Sequence, residues 1–142
     1  VRVERVTDAD VLARGADLFD ELPRPGPTSR FLSSADHHLL FAWDDADRAV
    51  GFISGVEVTH PDKGTEMFLY ELGVSESARG QGVATGLVRA LEIVAKDAGC
   101  YGMWVACESD NLGALATYRR ADATDEANVT MFSWEFPRST GG

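Results

Sequence analysis

A chain of 142 residues is long enough to bury one continuous core and too short for two independent ones. Its 44% apolar and 25% charged residues match a soluble globular protein, and no apolar run is long enough to cross a bilayer, so a membrane span is excluded. Asp and Glu total 23 against 13 Lys and Arg, a formal charge of -10, and Lys63 and Lys96 are the only lysines. Such a surface repels nucleic acid and favours encounter with cationic partners.

The alternating "VRVERV" at 1–6 predicts a first strand, and Thr7 with Asp8 and Asp10 predicts a capped helix running through "VLARGADLF". "LPRPGPTSR" reads as a proline-rich break, "RFLSSAD" as a short second helix and "HHLLFAW" as a strand. After the turn "DDADR", "AVGFISGVEV" pairs back as a hairpin partner with Gly51 and Gly55 at possible bends, and "PDKG" turns the chain into a strand at 67–74. Val83, Leu87, Leu91, Val94 and Ala98 recur at helical spacing, Gly86 and Ala90 would allow close approach to a sheet, and Gly99 ends the helix. Glu92 and Lys96 form an i, i+4 pair on its wet face. "MWVAC" then predicts a strand, "NLGALATYRR" a helix and "VTMFSWEF" a last strand. Residues 67–107 are thus expected to form a parallel βαβ unit on an otherwise antiparallel sheet. The domain is expected over 1–136, with a disordered tail at 137–142.

Cys100 and Cys107 read as free thiols, Cys107 within a buried strand, and the three histidines show no metal-ligand spacing, so no metal is expected. Trp43, Trp104 and Trp134 all fall in expected strands and are assigned to the core. The opening residues lack the apolar run of a secretory signal, which makes a cytoplasmic location the expectation.

"ARGQGVA" at 78–84 sets Gly80 and Gly82 at the start of the long helix, where unpaired N–H groups and the positive end of the helix dipole favour an anion. Arg79 can add a charge. A dinucleotide fingerprint is disfavoured, because "SESAR" separates the strand from the first glycine and too few βαβ units are present. A nucleoside-triphosphate loop would need a Lys-Ser/Thr ending that is lacking. The same strand end carries Glu71 among apolar residues: burial favours the neutral acid and a bound ammonium the carboxylate, so this group is a candidate base, with a structural ion pair as the alternative. Gly73, inside the strand, marks either a bulge or a simple bend.

Arg79, Gly82 and Ala84, after a strand ending "LGV" and before a long helix, resemble the R-x-x-G-x-G/A signature of the GCN5-related N-acetyltransferases, the GNAT superfamily. "DNLGALATYRR" is similar to that family's later asparagine-to-tyrosine segment, and "FLYELGVSESARGQGVATGLV" most resembles the type I aminoglycoside 3-N-acetyltransferases. The aromatic-carboxylate pair, Tyr-Asp in that group, is Tyr70-Glu71 here, and "RADAT" replaces the familiar Leu-Gly-Phe. The resemblance implies an α/β fold: a mixed, mostly antiparallel sheet with one splayed parallel strand pair and flanking helices. It implies acetyl-CoA as cosubstrate, with its pantetheine arm on Leu72, Gly73, Val74 and Asn111 and its diphosphate on Arg79, Gly80, Gln81, Gly82, Val83 and Ala84. Glu71 would be the general base and Tyr118 the general acid, and a homodimer is expected by the same route. Asn111 and Tyr118, seven apart, lie about 20° around and roughly 10 Å along one helix, so both can face one groove. For Asn111 helix capping, and for Tyr118 core packing, are the alternative readings.

The expected substrate is a cationic amine, an aminoglycoside first, met by Tyr70, Glu71, Glu108 and Asp110. Asp125 and Glu126 read better as a solvated acidic loop. Other expectations from the same residues are acetylation of polyamines or of peptide amines, or a CoA-sensing module without turnover.

Overall fold

The computed structural model describes residues 1–138. Strands β1 (Arg2–Arg5), β2 (His37–Trp43), β3 (Ala49–His60), β4 (Gly64–Val74) and β5 (Met103–Trp104) form one sheet in sequence order, and the helices are α1 (Ala9–Ala13), α2 (Pro25–Ser33), α3 (Val83–Asp97) and α4 (Leu112–Arg120). The β1–β4 pairs are antiparallel and β4–β5 is parallel, which is the mixed sheet and βαβ unit expected. Among the described residues no helix is long and apolar enough to cross a membrane.

The "HHLLFAW" run is apolar without alternation because β2 is covered on both faces. Leu40 and Ala42 face α3 with Ile53, Met67 and Leu69, while Leu39, Phe41 and Trp43 face a second cluster with Val6, Leu12 and Phe52. Helix α3 buries Val83, Leu87, Val88, Leu91 and Ala95 in the first cluster. Leu87 and Leu91 are wholly buried, each contributing about 1.5–3 kcal/mol. The helix lies close to the sheet because of glycines in the sheet itself. A Cβ on Gly51 would lie 3.1 Å from Leu87 Cδ1, and one on Gly55 would lie 2.9 Å from Met67 Sδ and 3.0 Å from Leu91 Cδ2. Gly51 and Gly55 are therefore contact points for α3. The expected close approach at Gly86 is not found, since that residue is exposed with nothing near its Cβ position.

Three expectations about the elements need correction. Asp8 caps α1 by accepting from Val11 N–H at 2.9 Å, but the helix stops at Ala13 and a single 3-10 turn, Ala16–Leu18, follows. The proline-rich stretch begins helix α2, with Pro25 at its first position, where the missing N–H costs nothing. Residues 129–136 form no strand: Val129, Met131, Phe132, Trp134 and Phe136 are 75–81% exposed, so Trp134 is not a core residue. The expected tail lies outside the described residues at 139–142, while 137 and 138, like 129–136, have no regular secondary structure.

Candidate functional site

Strand β4 has a bulge, displaced from the expected place. Ser54 pairs with Glu71 and Gly55 with Leu69, which leaves Tyr70 as the extra residue, whereas Gly73 pairs regularly with Phe52. The side chains facing α3 accordingly run Met67, Leu69, then Leu72, Val74, a step of three that strict alternation forbids. Gly73 serves packing instead: a Cβ there would lie 2.7 Å from Phe52 Cε1. The bulge leaves both Tyr70 and Glu71 off the α3 face. The Tyr70 ring meets Phe68 edge-on at 5.8 Å, and the charges of Asp20 and Glu21, on the chain before α2, act on Glu71.

The parallel ladder between β4 and β5 is two pairs long, Met67 with Met103 and Phe68 with Trp104. Beyond it β4 continues to Val74 with β3 on one side and, among the described residues, no strand on the other. This is the splayed opening expected around Leu72, Gly73 and Val74. Short β5 also moves Cys107, expected in a buried strand, to an exposed connection.

The chain then turns through Glu76–Ala78 into a loop in which Gly80 and Gly82 have φ of 76° and 80°. Only glycine adopts this left-handed conformation without strain. Gly82 is the N-cap of α3 without a side-chain cap, and the helical ladder begins with Gly86 N–H donating to the Gly82 carbonyl at 3.0 Å. The amides of Val83, Ala84 and Thr85 are therefore the helix's open donors, and the space beside the Gly80 and Gly82 α-carbons is empty of protein within 4 Å. Arg79 donates from Nε to the Val74 carbonyl at 3.2 Å, which ties this exposed guanidinium to the end of β4, and Gln81 Nε2 donates to the Ser77 carbonyl. The buried Ser75 Oγ has no hydrogen-bond partner and lies beside a cavity of about 390 Å³ lined by Arg14, Asp17, Leu18, Val74 and Arg79. A second cavity of about 250 Å³ touches Gln81 and Val83. Both adjoin the glycine loop and neither includes Glu71 in its lining.

Burial chiefly, then the charges of Asp20 and Glu21, push the Glu71 carboxyl above its ordinary range. Burial likewise raises Tyr118, which packs on the α3 core, with a smaller contribution from Cys107. Asn111 is the N-cap of α4, its Oδ1 accepting from Ala114 N–H at 3.1 Å, and its amide nitrogen is the end left for another partner. Glu108 and Asp110 are exposed in the connection before α4, and the acids whose charge reaches Glu71 are Asp20 and Glu21 instead. Asp125 is engaged by Arg119, at 3.0 Å from its Nε. Sequence reasoning missed Asp20, Glu21 and Ser75. No local signal marks the first two; Ser75, directly after "ELGV", stood at a strand end where ligands bind in such sheets.

A mixed sheet with a splayed parallel pair, a glycine-started helix with open amides, and a half-buried Glu71 raised by burial on the preceding strand are the features of this site. The acetyltransferase (GNAT) family model matches residues 9–122, and the chain belongs to that family. It is 33% identical over 128 residues to the mycothiol acetyltransferase of Jonesia denitrificans, covering 82% of this chain and 40% of that protein. The chain spans less than half the length of the curated relatives it matches. An aminoglycoside acetyltransferase from an uncultured soil metagenomic sample, solved with sisomicin, has the same fold with a TM-score of 0.86, 18% identity and 96% of both chains covered. The aminoglycoside N-acetyltransferase AAC(6')-Iy, solved with CoA, matches with a TM-score of 0.78 and 19% identity over 95% of this chain and 99% of that one.

Proposed function

We propose that the chain is a single acetyltransferase domain that N-acetylates a cationic small-molecule amine, an aminoglycoside first, using acetyl-CoA. The observation that carries this reading is one strand end holding both Glu71, its carboxyl raised chiefly by burial, and the unpaired edge of β4, followed by the turn of Gly80 to Thr85 with its open amides. The open amides of Val83 to Thr85, the glycine-lined space and Arg79 suit a diphosphate. The free backbone edge of Leu72 to Val74 suits the amides of a pantetheine arm, added as a strand would be. Bound there, acetyl-CoA supplies an acetyl group activated as a thioester.

Glu71 accepts a proton from the substrate ammonium, because attack needs a neutral amine. Burial, which raises its affinity for that proton, suits a group that must accept one and pass it on. Tyr118, whose phenol keeps its proton to higher pH than usual, donates to the departing sulfur. Asp20 and Glu21, whose charges act on Glu71, and the exposed Glu108 and Asp110 before α4 offer carboxylates to further ammonium groups, and Tyr70 offers a ring face. The resemblance in the strand and loop favours the 3-amino group of 2-deoxystreptamine. Similarity to a mycothiol acetyltransferase favours, as second reading, another small-molecule amine.

The test is thiol release from acetyl-CoA with 2-deoxystreptamine antibiotics, spermidine and a lysine peptide in parallel, with NMR of the product to locate the amide. Release with the antibiotics alone is expected. Activity on spermidine or peptide only would overturn the aminoglycoside reading, and acetyl-CoA binding without transfer to any amine would leave a sensing module.

A further inference from the structure

Helix α4 has Asn111 as its cap and Tyr118 in its last turn, yet it is nine residues long and none of them is buried. A helix that short does not hold itself in water, so its place depends on what it is tied to. At the start the tie is internal, since Asn111 caps its own helix. The other end is built differently.

Asp122 follows the last turn with φ of 65°, the left-handed conformation that usually takes glycine. The chain there returns Ala123 N–H to the Tyr118 carbonyl and Asp122 N–H to the Arg119 carbonyl, each at 3.0 Å. These bonds satisfy two of the four carbonyls that a helix end leaves open. The other two accept from Arg89 on α3: Nη2 donates to the Arg120 carbonyl and Nη1 to that of Ala121, both at 3.3 Å. Nη2 also donates to the Asp122 carboxylate at 2.8 Å. One planar guanidinium thus completes the helix end, holds the residue that turns it, and sits at the negative end of the helix dipole. Among the described residues, the side-chain hydrogen bonds that join α4 and its exit to α3 all come from Arg89, whereas Arg119 with Asp125 ties α4 only to the chain leaving it. The clasped turn begins at Tyr118, whose side chain packs on the core that α3 buries.

We propose that Arg89 is a positioning residue for acetyl transfer: by clasping residues 120–122 to α3 it fixes the turn that starts at Tyr118, and with it the direction in which that phenol is presented. The inference rests on the reading of Tyr118 as proton donor to the departing sulfur. Lysine cannot replace the arginine fully, because three acceptors are shared between two nitrogens of one plane. An exposed pair of this kind adds little to global stability, so its loss acts on the local turn and on proton delivery, not on the fold or on cofactor binding.

The experiment uses the full chain. Arg89→Met keeps the aliphatic stem and removes the donors. With acetyl-CoA and the fastest amine of the panel above, it is expected to lower kcat about tenfold at an unchanged KM for acetyl-CoA and an unchanged far-ultraviolet circular dichroism spectrum. Arg89→Lys is expected to fall between it and the wild type. In a Tyr118→Phe background Arg89→Met is expected to change kcat by less than about twofold, because the group it orients is already gone. Amide exchange at Asp122 and Ala123 is expected to quicken by about tenfold or more while that of Leu87 to Leu91 is unchanged, a measurement that needs no substrate. Wild-type kcat in Arg89→Met beside a slow Tyr118→Phe overturns the positioning role and leaves Tyr118 as the acid. An equal loss in both backgrounds, a loss confined to the KM for acetyl-CoA, or unchanged exchange at Asp122 and Ala123 overturns it as well. Tyr118→Phe as fast as wild type, or no transfer to any amine, removes the reading of the site and the proposal with it. Should Arg89→Met not fold, Arg89→Lys taken through the same cycle decides.

Discussion

Glu71 is held by burial, and secondarily by Asp20 and Glu21, above the usual carboxylate range. The folded chain thus binds this proton more tightly than the unfolded chain. Stability from Glu71 is full below the ordinary glutamate pKa and is lost as pH rises through the raised folded value. Glu71→Gln is therefore expected to raise Tm at neutral pH and to leave it unchanged below about pH 4, by scanning calorimetry at both. A lower Tm at neutral pH would identify Glu71 as one half of a structural ion pair. The same substitution is expected to reduce kcat by about 100-fold or more with acetyl-CoA affinity retained. Asp20→Asn removes a charge that raises the pKa, and it should move the acidic limb of the kcat/KM profile to lower pH. For Tyr118, burial raises the phenol, and Tyr118→Phe is expected to cost about tenfold to 100-fold in kcat without weakening CoA binding.

The start of α3 and its seat on the sheet dominate at the level of elements. Gly82 has φ of 80° with nothing within 4 Å of a Cβ, so Gly82→Ala meets strain without a clash, about 1–2 kcal/mol by urea denaturation. Gly82→Glu adds a carboxylate where the helix amides open, and the thermal stabilisation by CoA is expected to vanish. Gly55 is the contrary case, since its Cβ would press on Met67 and Leu91. Gly55→Val is expected to cost about 1–3 kcal/mol from overpacking, read in the same denaturation experiment. Much of this was legible in order: the capped α1, the apolar β2, the loop and the α3 stripe all rest on local spacing. The bulge has a local signature as well, the apolar step from Leu69 to Leu72 that breaks strand alternation, and it lies three residues before Gly73. Strand β5 was overcounted because "MWVAC" has strand composition, while only Met103 and Trp104 meet β4.

For the molecule as a whole the net charge of -10 acts on encounter more than on fold. If the substrate is a polycation, raising ionic strength should increase its KM while kcat and the KM for a neutral amine change little, measured in steady-state assays across a salt series. A salt-independent KM would confine recognition to short-range contacts. The aromatic ribbon at 129–136 is a different kind of surface, apolar within an acidic molecule. Its expectation as a strand was sound in pattern and failed in placement, because a strand exists only where an edge receives it.

From the amino-acid order alone came what short-range physics controls: glycines where the backbone must turn left-handed, an uncapped helix start, a periodic α3, and a family signature spanning them. The tertiary structure decided what depends on meetings between distant segments. It brought Asp20 and Glu21 to Glu71, which sets that proton's affinity, and put the bulge at Tyr70 through the register with β3. It also stopped β5 after two residues and left the ribbon unpaired, because strand pairing is a property of two edges and no single segment encodes the other.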